Sequence, residues 1–205
     1  MLSEGRGNLI VVTAPPGAGK STLVEYVVSH VDGLRYSISY TTREPRGKEL
    51  HGRDYFFVSL EEFRRMRSRG EFIESAEVHG NLYGTARAAI DAARKEGQDI
   101  ILDIDVQGAR QICAVIPDAI TVFVLPPSFQ ELEQRLRQRN TDGRYDIERR
   151  LRNASVEVQS YREFQYLIIN DNLERACSAL AAIILAERHR VNRLSAVAEK
   201  IISSF

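Results

Sequence analysis

An α/β fold, a parallel sheet covered on both faces by helices, is what this sequence predicts, and three observations carry that expectation. The first is a short apolar run, Leu9-Ile10-Val11-Val12, which enters the turn Ala14-Pro15-Pro16-Gly17-Ala18-Gly19 and then a helix-periodic segment from Lys20 to Val31. The second is that strand-like and helix-like segments keep alternating later in the chain, as parallel sheets require. The third is a break in the alternation from Ser37 to Thr85, where short β-like runs and a capped helix crowd together.

Each element follows from its residues. Asn8 to Thr13 is apolar enough for a central strand, and the helix after it stops near Asp32-Gly33. Within the break, Tyr55 to Val58 and Phe72 to Val78 read as strands. Ser59 with Glu62 caps a helix, and His79-Gly80-Asn81 marks a turn. Asp99 to Ile104 is a strong strand, followed by a helix through Ala114. Ala119 to Leu125 is the next strand, ended by Pro126-Pro127, and Ser128 with Glu131 forms a capping box for a helix to about Arg139. Tyr166 to Ile169 is the last strand, and Asn172 to about Arg190 a long helix. The expected organisation is a core from 1–36 and 86–190, an insertion at 37–85, a lid near 140–146 between two arginine-rich helices, and a helical tail at 191–205.

Composition narrows the class. The chain has 205 residues, 43% hydrophobic and 27% charged, with 28 basic and 28 acidic side chains. A protein of duplex nucleic acid would carry a basic excess, so no nucleic-acid partner is expected. Met1 to Asn8 is polar and no apolar run approaches a membrane span, so the expectation is a cytoplasmic protein with no membrane partner. Cys113 and Cys177 read as two buried thiols, and the histidines form no metal-ligand spacing with them. A homo-oligomer is compatible with all of this.

The strongest local signal is Gly17-Ala18-Gly19-Lys20-Ser21. Glycines let consecutive backbone N–H groups converge on phosphate oxygens, and the helix that starts near Lys20 adds its positive dipole end. Pro15, Pro16, Gly17, Ala18, Gly19, Lys20, Ser21 and Thr22 are thus the expected ATP-binding segment of a P-loop NTPase fold. Lys20 would serve as the point charge and the Ser21 hydroxyl as a magnesium ligand. The general pattern opens on glycine, and Ala14 stands in that place. Asp103 closes an apolar strand, where an acidic residue meets magnesium through water in enzymes of this kind.

With these pieces in hand the chain resembles the guanylate kinase family over about residues 8 to 190. The resemblance rests on Ala14 to Ser21, Ser39-Tyr-Thr-Thr-Arg43-Glu-Pro-Arg46, Gly52-Arg-Asp-Tyr55-Phe, Gly70-Glu-Phe-Ile-Glu74, Gly80-Asn-Leu-Tyr83-Gly-Thr85, Leu102-Asp103-Ile-Asp105-Val-Gln-Gly108 and Asn170-Asp171. The family has serine where Pro16 stands, a place where adenylate kinases accept proline, and often serine where Thr85 stands. The resemblance implies phosphorylation of GMP, and of dGMP, by ATP with Mg2+, the 37–85 insertion holding the monophosphate.

It also implies a phosphate clamp of Arg43, Arg46, Tyr55 and Tyr83, a task that suits planar guanidinium forks and phenol donors. Glu74 and Asp105 are implied for the donor edge of guanine, N1 and N2, with Ser39 and Thr85 near O6, which is the complementary hydrogen-bonding set. Asp105 also fits as the cap of the helix from Val106. Arg135, Arg139 and Arg150 flank the lid, and the spacing of Arg135 and Arg139 puts them on one helix face. Together with Lys20 and Arg43 they form the expected catalytic set, which neutralises charge on the transferring phosphoryl group. Two other readings fit less of the chain. A P-loop kinase for a phosphorylated sugar has no use for Glu74, and a phosphopeptide-binding module has no need of an intact Gly19-Lys20-Ser21.

Overall fold

The computed structural model describes residues 6–78, 80–138 and 144–205, positions 144–146 by their backbone alone. Its main sheet is parallel, in the order β2-β7-β1-β8-β9, formed by β1 (Leu9–Thr13), β2 (Leu34–Tyr36), β7 (Asp99–Asp103), β8 (Ile120–Leu125) and β9 (Tyr166–Ile169). Every residue of β1 is buried, as a central strand with helices on both faces demands. On one face α1 (Lys20–His30) and α7 (Leu173–Arg188) pack Leu23, Val27, Leu180 and Ile184 against Ile10, Val12 and Val122. On the other, α3 (Arg87–Lys95) and α4 (Val106–Val115) bring Ile90 and Ile112 onto Leu9, Val11 and Leu102.

The strand order places the site. β1 and β7 are parallel neighbours, with Val12 opposite Asp103, and Ile104 N–H donates to the Val12 carbonyl at 3.3 Å. The turn after β1 and the turn after β7 therefore lie side by side at the carboxyl edge of the sheet, where open α/β sheets bind ligands.

A second sheet, in the order β4-β3-β6-β5, is drawn from β3 (Tyr40–Thr41), β4 (Phe56–Phe57), β5 (Phe72–Val78) and β6 (Asn81–Ala86). With α2 (Leu60–Ser68) it closes a small core of Phe63, Met66 and Phe72. Ser59 caps α2 by accepting from Glu62 N–H at 3.1 Å, the serine half of the expected cap, while the Glu62 carboxylate pairs with Arg65. In a third cluster α5 (Phe129–Gln138) and α6 (Arg144–Glu157) join Leu132 and Leu136 to Ile147, Leu151 and Ala154. The last helix, α8 (Val191–Ile202), is tied to the body by the ion pair of Arg193 with Asp118 at 3.1 Å.

Some expectations need correction. Only half of the Ser128 capping box forms: Ser128 Oγ accepts from Glu131 N–H at 3.1 Å, while the Glu131 carboxylate turns to Arg135 Nε at 2.9 Å. The long C-terminal helix starts at Leu173, because Asn172 caps it by accepting from Arg175 N–H. Cys177 is buried, but Cys113 is only half-buried, since it sits beside the face of α4 that Ala109 and Ile112 bury. Strands β2, β3 and β6 and helix α3 add to what the sequence pattern gives.

Candidate active site

The donor side is built by backbone. Gly17 and Gly19 take φ of 89° and 90°, a region that glycine enters without steric cost. A side chain at Gly19 would also collide with Asn170, its Cβ falling 2.4 Å from Nδ2, and one at Gly17 would meet Leu136 Cγ at 2.9 Å. The loop is thus clasped between α5 and the end of β9. Asn170 donates from Nδ2 to the Ala18 carbonyl at 2.8 Å, and Ala18 N–H donates to Pro15 O at 3.2 Å. Ala14 packs its methyl group into the buried core.

Three charged or polar groups meet at the head of this loop. Lys20 Nζ forms an ion pair with Asp103 and donates to Ile104 O at 2.9 Å, and Ser21 Oγ donates to Asp103 Oδ2 at 2.9 Å. On the outer side of the loop, Gly17, Gly19, Thr22, Arg135, Gln138 and Leu173 line a hollow of about 350 Å³. Arg135 reaches it after donating to Glu131 at 2.9 Å and to Asn170 O at 3.2 Å. Arg150 is half-buried on α6. Arg139 and positions 140–143 of the expected lid lie outside the described residues.

The acceptor side is built by side chains. A cavity of about 200 Å³ is lined by Lys20, Ser39, Tyr55, Glu74, Tyr83, Asp103 and Asp105, so residues up to 85 positions apart in sequence share one wall. Glu74 sits directly opposite Thr85 in the β5–β6 ladder, after a bulge between Phe72 and Glu74. Thr85 Oγ1 donates to Glu74 Oε1 at 2.6 Å, and both side chains are buried. That hydrogen bond engages the one proton of Thr85, so of the two hydroxyls expected near O6 only Ser39 lines the cavity with its proton uncommitted to Glu74. Burial pushes the Glu74 carboxyl up to about 7; the Thr85 hydrogen bond opposes the rise and the charge of Asp105 adds to it. Asp105 Oδ1 accepts from Gly108 N–H at 2.8 Å, so it caps α4 while lining the cavity.

Arg43 contacts two residues of this wall, Tyr83 and Tyr55. Its Nε donates to Tyr83 Oη at 3.2 Å, and its guanidinium stacks over Tyr55, 5.3 Å from the ring centroid. Arg46 is exposed, on the turn that follows. Burial raises the Tyr55 phenol above its ordinary range, so it stays protonated and a donor.

Three residues join the site beyond those the motifs singled out, and a fourth, Glu157, lies within the field of Asp105 and Lys20. Glu49 pairs with Arg43, and Asn170 pins the loop. Gly108 allows α4 to approach so closely that a Cβ there would lie 2.7 Å from Glu74 Oε2. Glu157 is pushed up to about 7 by burial and by the charge of Asp105, with Lys20 acting in the other direction. Asn170 and Gly108 stand inside motifs of the sequence that signal them; Glu49 and Glu157 carry no such signal.

Known proteins resemble this chain over most of its length. The family model described as guanylate kinase matches residues 6–187. A guanylate kinase of Koribacter versatilis is 49% identical over 187 residues, 90% of this chain and 80% of the relative. One of Geobacter sulfurreducens is 47% identical over 194 residues, 94% of this chain and 96% of the relative. The crystal structure of guanylate kinase from Anaplasma phagocytophilum superposes with a TM-score of 0.78 at 32% identity, covering 93% of this chain and 91% of that one. The chain belongs to the guanylate kinase family.

Proposed function

We infer that the protein transfers the γ-phosphoryl group of ATP to GMP, giving ADP and GDP, by direct in-line displacement. The observation that carries the reading is the single cavity shared by Lys20 of the phosphate loop and the buried carboxylate of Glu74. The loop amides and Lys20 hold the phosphates of ATP. On ATP binding Lys20 turns from Asp103 to the phosphate oxygens. Ser21 and Asp103 offer hard oxygen donors at the loop head, a set that fits Mg2+, which takes few protein ligands beside nucleotide phosphates. When bound, the ion neutralises charge on the phosphates.

Glu74, ionised and fixed by Thr85, accepts from N1 and N2 of guanine. Asp105 supports the same edge and Ser39 donates to O6. Arg43, Arg46, Tyr55 and Tyr83 hold the acceptor phosphate, which is already an anionic nucleophile and needs no general base. Arg135, Arg139 and Arg150 close charge over the transferring group. The 37–85 segment acts as the monophosphate-binding unit, and dGMP, with the same base and phosphate, serves as a second acceptor. Such an enzyme works in the cytoplasm on small molecules.

A panel of acceptors (GMP, dGMP, AMP, CMP, UMP and a sugar phosphate) with ATP and Mg2+ tests the reading. Adenine sets an N1 lone pair against Glu74 and an amino group against the O6 donor, two mismatches at about 1–3 kcal/mol each. Selectivity for GMP over AMP should approach about 10⁴-fold, and Glu74→Gln should remove most of it. Equal use of AMP, or full selectivity in Glu74→Gln, would refute the guanine assignment.

A further inference from the structure

The fork of Arg43 is almost fully engaged inside the protein. An arginine has five N–H donors. Nε donates to Tyr83 Oη at 3.2 Å. Nη1 donates to Glu44 O at 2.7 Å and to Glu49 Oε2 at 2.9 Å, and Nη2 donates to Glu49 Oε1 at 2.9 Å. One Nη2 N–H is left without a partner among the described residues. The same Glu49 Oε2 accepts from the Arg46 backbone N–H at 2.8 Å, and Glu49 N–H donates to Arg46 O at 3.1 Å, closing a turn in which Gly47 takes φ of 56°. Burial works to raise the Glu49 carboxyl, but the Arg43 guanidinium and the Arg46 N–H outweigh it and hold the group ionised.

We propose that Glu49 is the positioning residue of the acceptor-phosphate clamp, one carboxylate that fixes the fork of Arg43 and the turn of Arg46 in register. The proposal rests on the reading that these two arginines bind the phosphate of GMP. With Glu49 in place, Arg43 aims one N–H and its charge at the phosphate. It also donates to the Tyr83 oxygen, which strengthens the Tyr83 proton as a donor toward the cavity. Expulsion of Glu49 by the phosphate would break bidentate, charge-assisted hydrogen bonds around a carboxylate only 25% exposed and would gain only the same fork. The clamp therefore keeps Glu49 when the phosphate arrives.

Calorimetric titration of the full chain with GMP, guanosine and a non-hydrolysable ATP analogue separates the possibilities. The variants are Glu49→Gln, Arg43→Lys and the double variant. Glu49→Gln should weaken GMP about tenfold and leave guanosine and the ATP analogue unchanged, as loss of an ionic hydrogen-bond partner would. Because lysine has no fork to position, Glu49→Gln should cost less on the Arg43→Lys background, where only its share in the Arg46 turn remains to be lost, than on wild type. Glu49→Asp, which keeps the charge with a shorter reach, should fall between wild type and Glu49→Gln, and it carries the test if Glu49→Gln melts early. Equal or tighter GMP binding in Glu49→Gln would overturn the proposal, since Glu49 would then be a stand-in that the phosphate displaces. A fully additive double variant would overturn it too. If Arg43→Lys itself binds GMP as wild type does, the phosphate-clamp reading falls, whatever Glu49 does.

Discussion

The two halves of the proposed site meet the same demand, an anionic nucleotide to be held, with different materials. The donor half is one contiguous loop, Ala14 to Thr22, whose form comes from backbone: positive φ at Gly17 and Gly19, an Asn170 clasp, and leucines of α5 behind it. The acceptor half gathers side chains from Ser39 to Asp105 and hides a carboxylate among them. Backbone N–H groups do not titrate and are preformed. A buried carboxylate gains selectivity at a cost: with Glu74 raised from 4.5 to about 7, its ionised form destabilises the ligand-free fold by on the order of 3 kcal/mol above that pH. The donor half should thus be indifferent to pH and to base identity, and the acceptor half sensitive to both.

The largest effect expected of this contrast lies in the donor half. Lys20→Ala removes the only side-chain charge assigned to the loop and should lower turnover by at least ~3 orders of magnitude, with melting little changed. Steady-state kinetics with GMP and ATP would check it, and near-normal turnover would detach the loop from the chemistry. A smaller effect sharpens the acceptor half. Gly108→Ala favours helix α4 by propensity but places a methyl group 2.7 Å from Glu74 Oε2, while Thr85 holds the other carboxylate oxygen at 2.6 Å. The KM for GMP should rise about tenfold, as when one charged hydrogen bond is distorted, with the KM for ATP unmoved. An unchanged KM for GMP would mean that Glu74 is free to shift.

The same contrast explains what the sequence makes legible. The donor loop is local, so residues 9–31 reveal its strand, turn and helix together, and the core strands β1, β7 and β8 announce themselves as buried apolar runs. Short edge elements such as β2 and β3 have too few residues for a period to emerge. In the acceptor half, motif resemblance points to Glu74. Its bulge, its pairing with Thr85 and its contact with Gly108 depend on tertiary register that no window of sequence contains. Glu49 is illegible in the sequence for a related reason: a carboxylate three positions past Arg46 in a polar turn looks like an exposed charge, and only the folded turn brings it onto the fork of Arg43.

The central claim, that guanine is held by an ionised and buried Glu74, is tested most directly by the pH dependence of GMP affinity. Since GMP offers donors, it binds the carboxylate form, and below about 7 a proton must first leave. The Kd of wild type should therefore rise about tenfold for each unit that pH falls below about 7 and level off above it. The second ionisation of a phosphate monoester, near about 6, contributes equally to a Glu74→Gln variant and can be subtracted. The account predicts that Glu74→Gln loses the component centred near 7 and keeps the phosphate component, while an ATP analogue gives the same profile in both proteins. Superimposable GMP profiles for wild type and Glu74→Gln would contradict it.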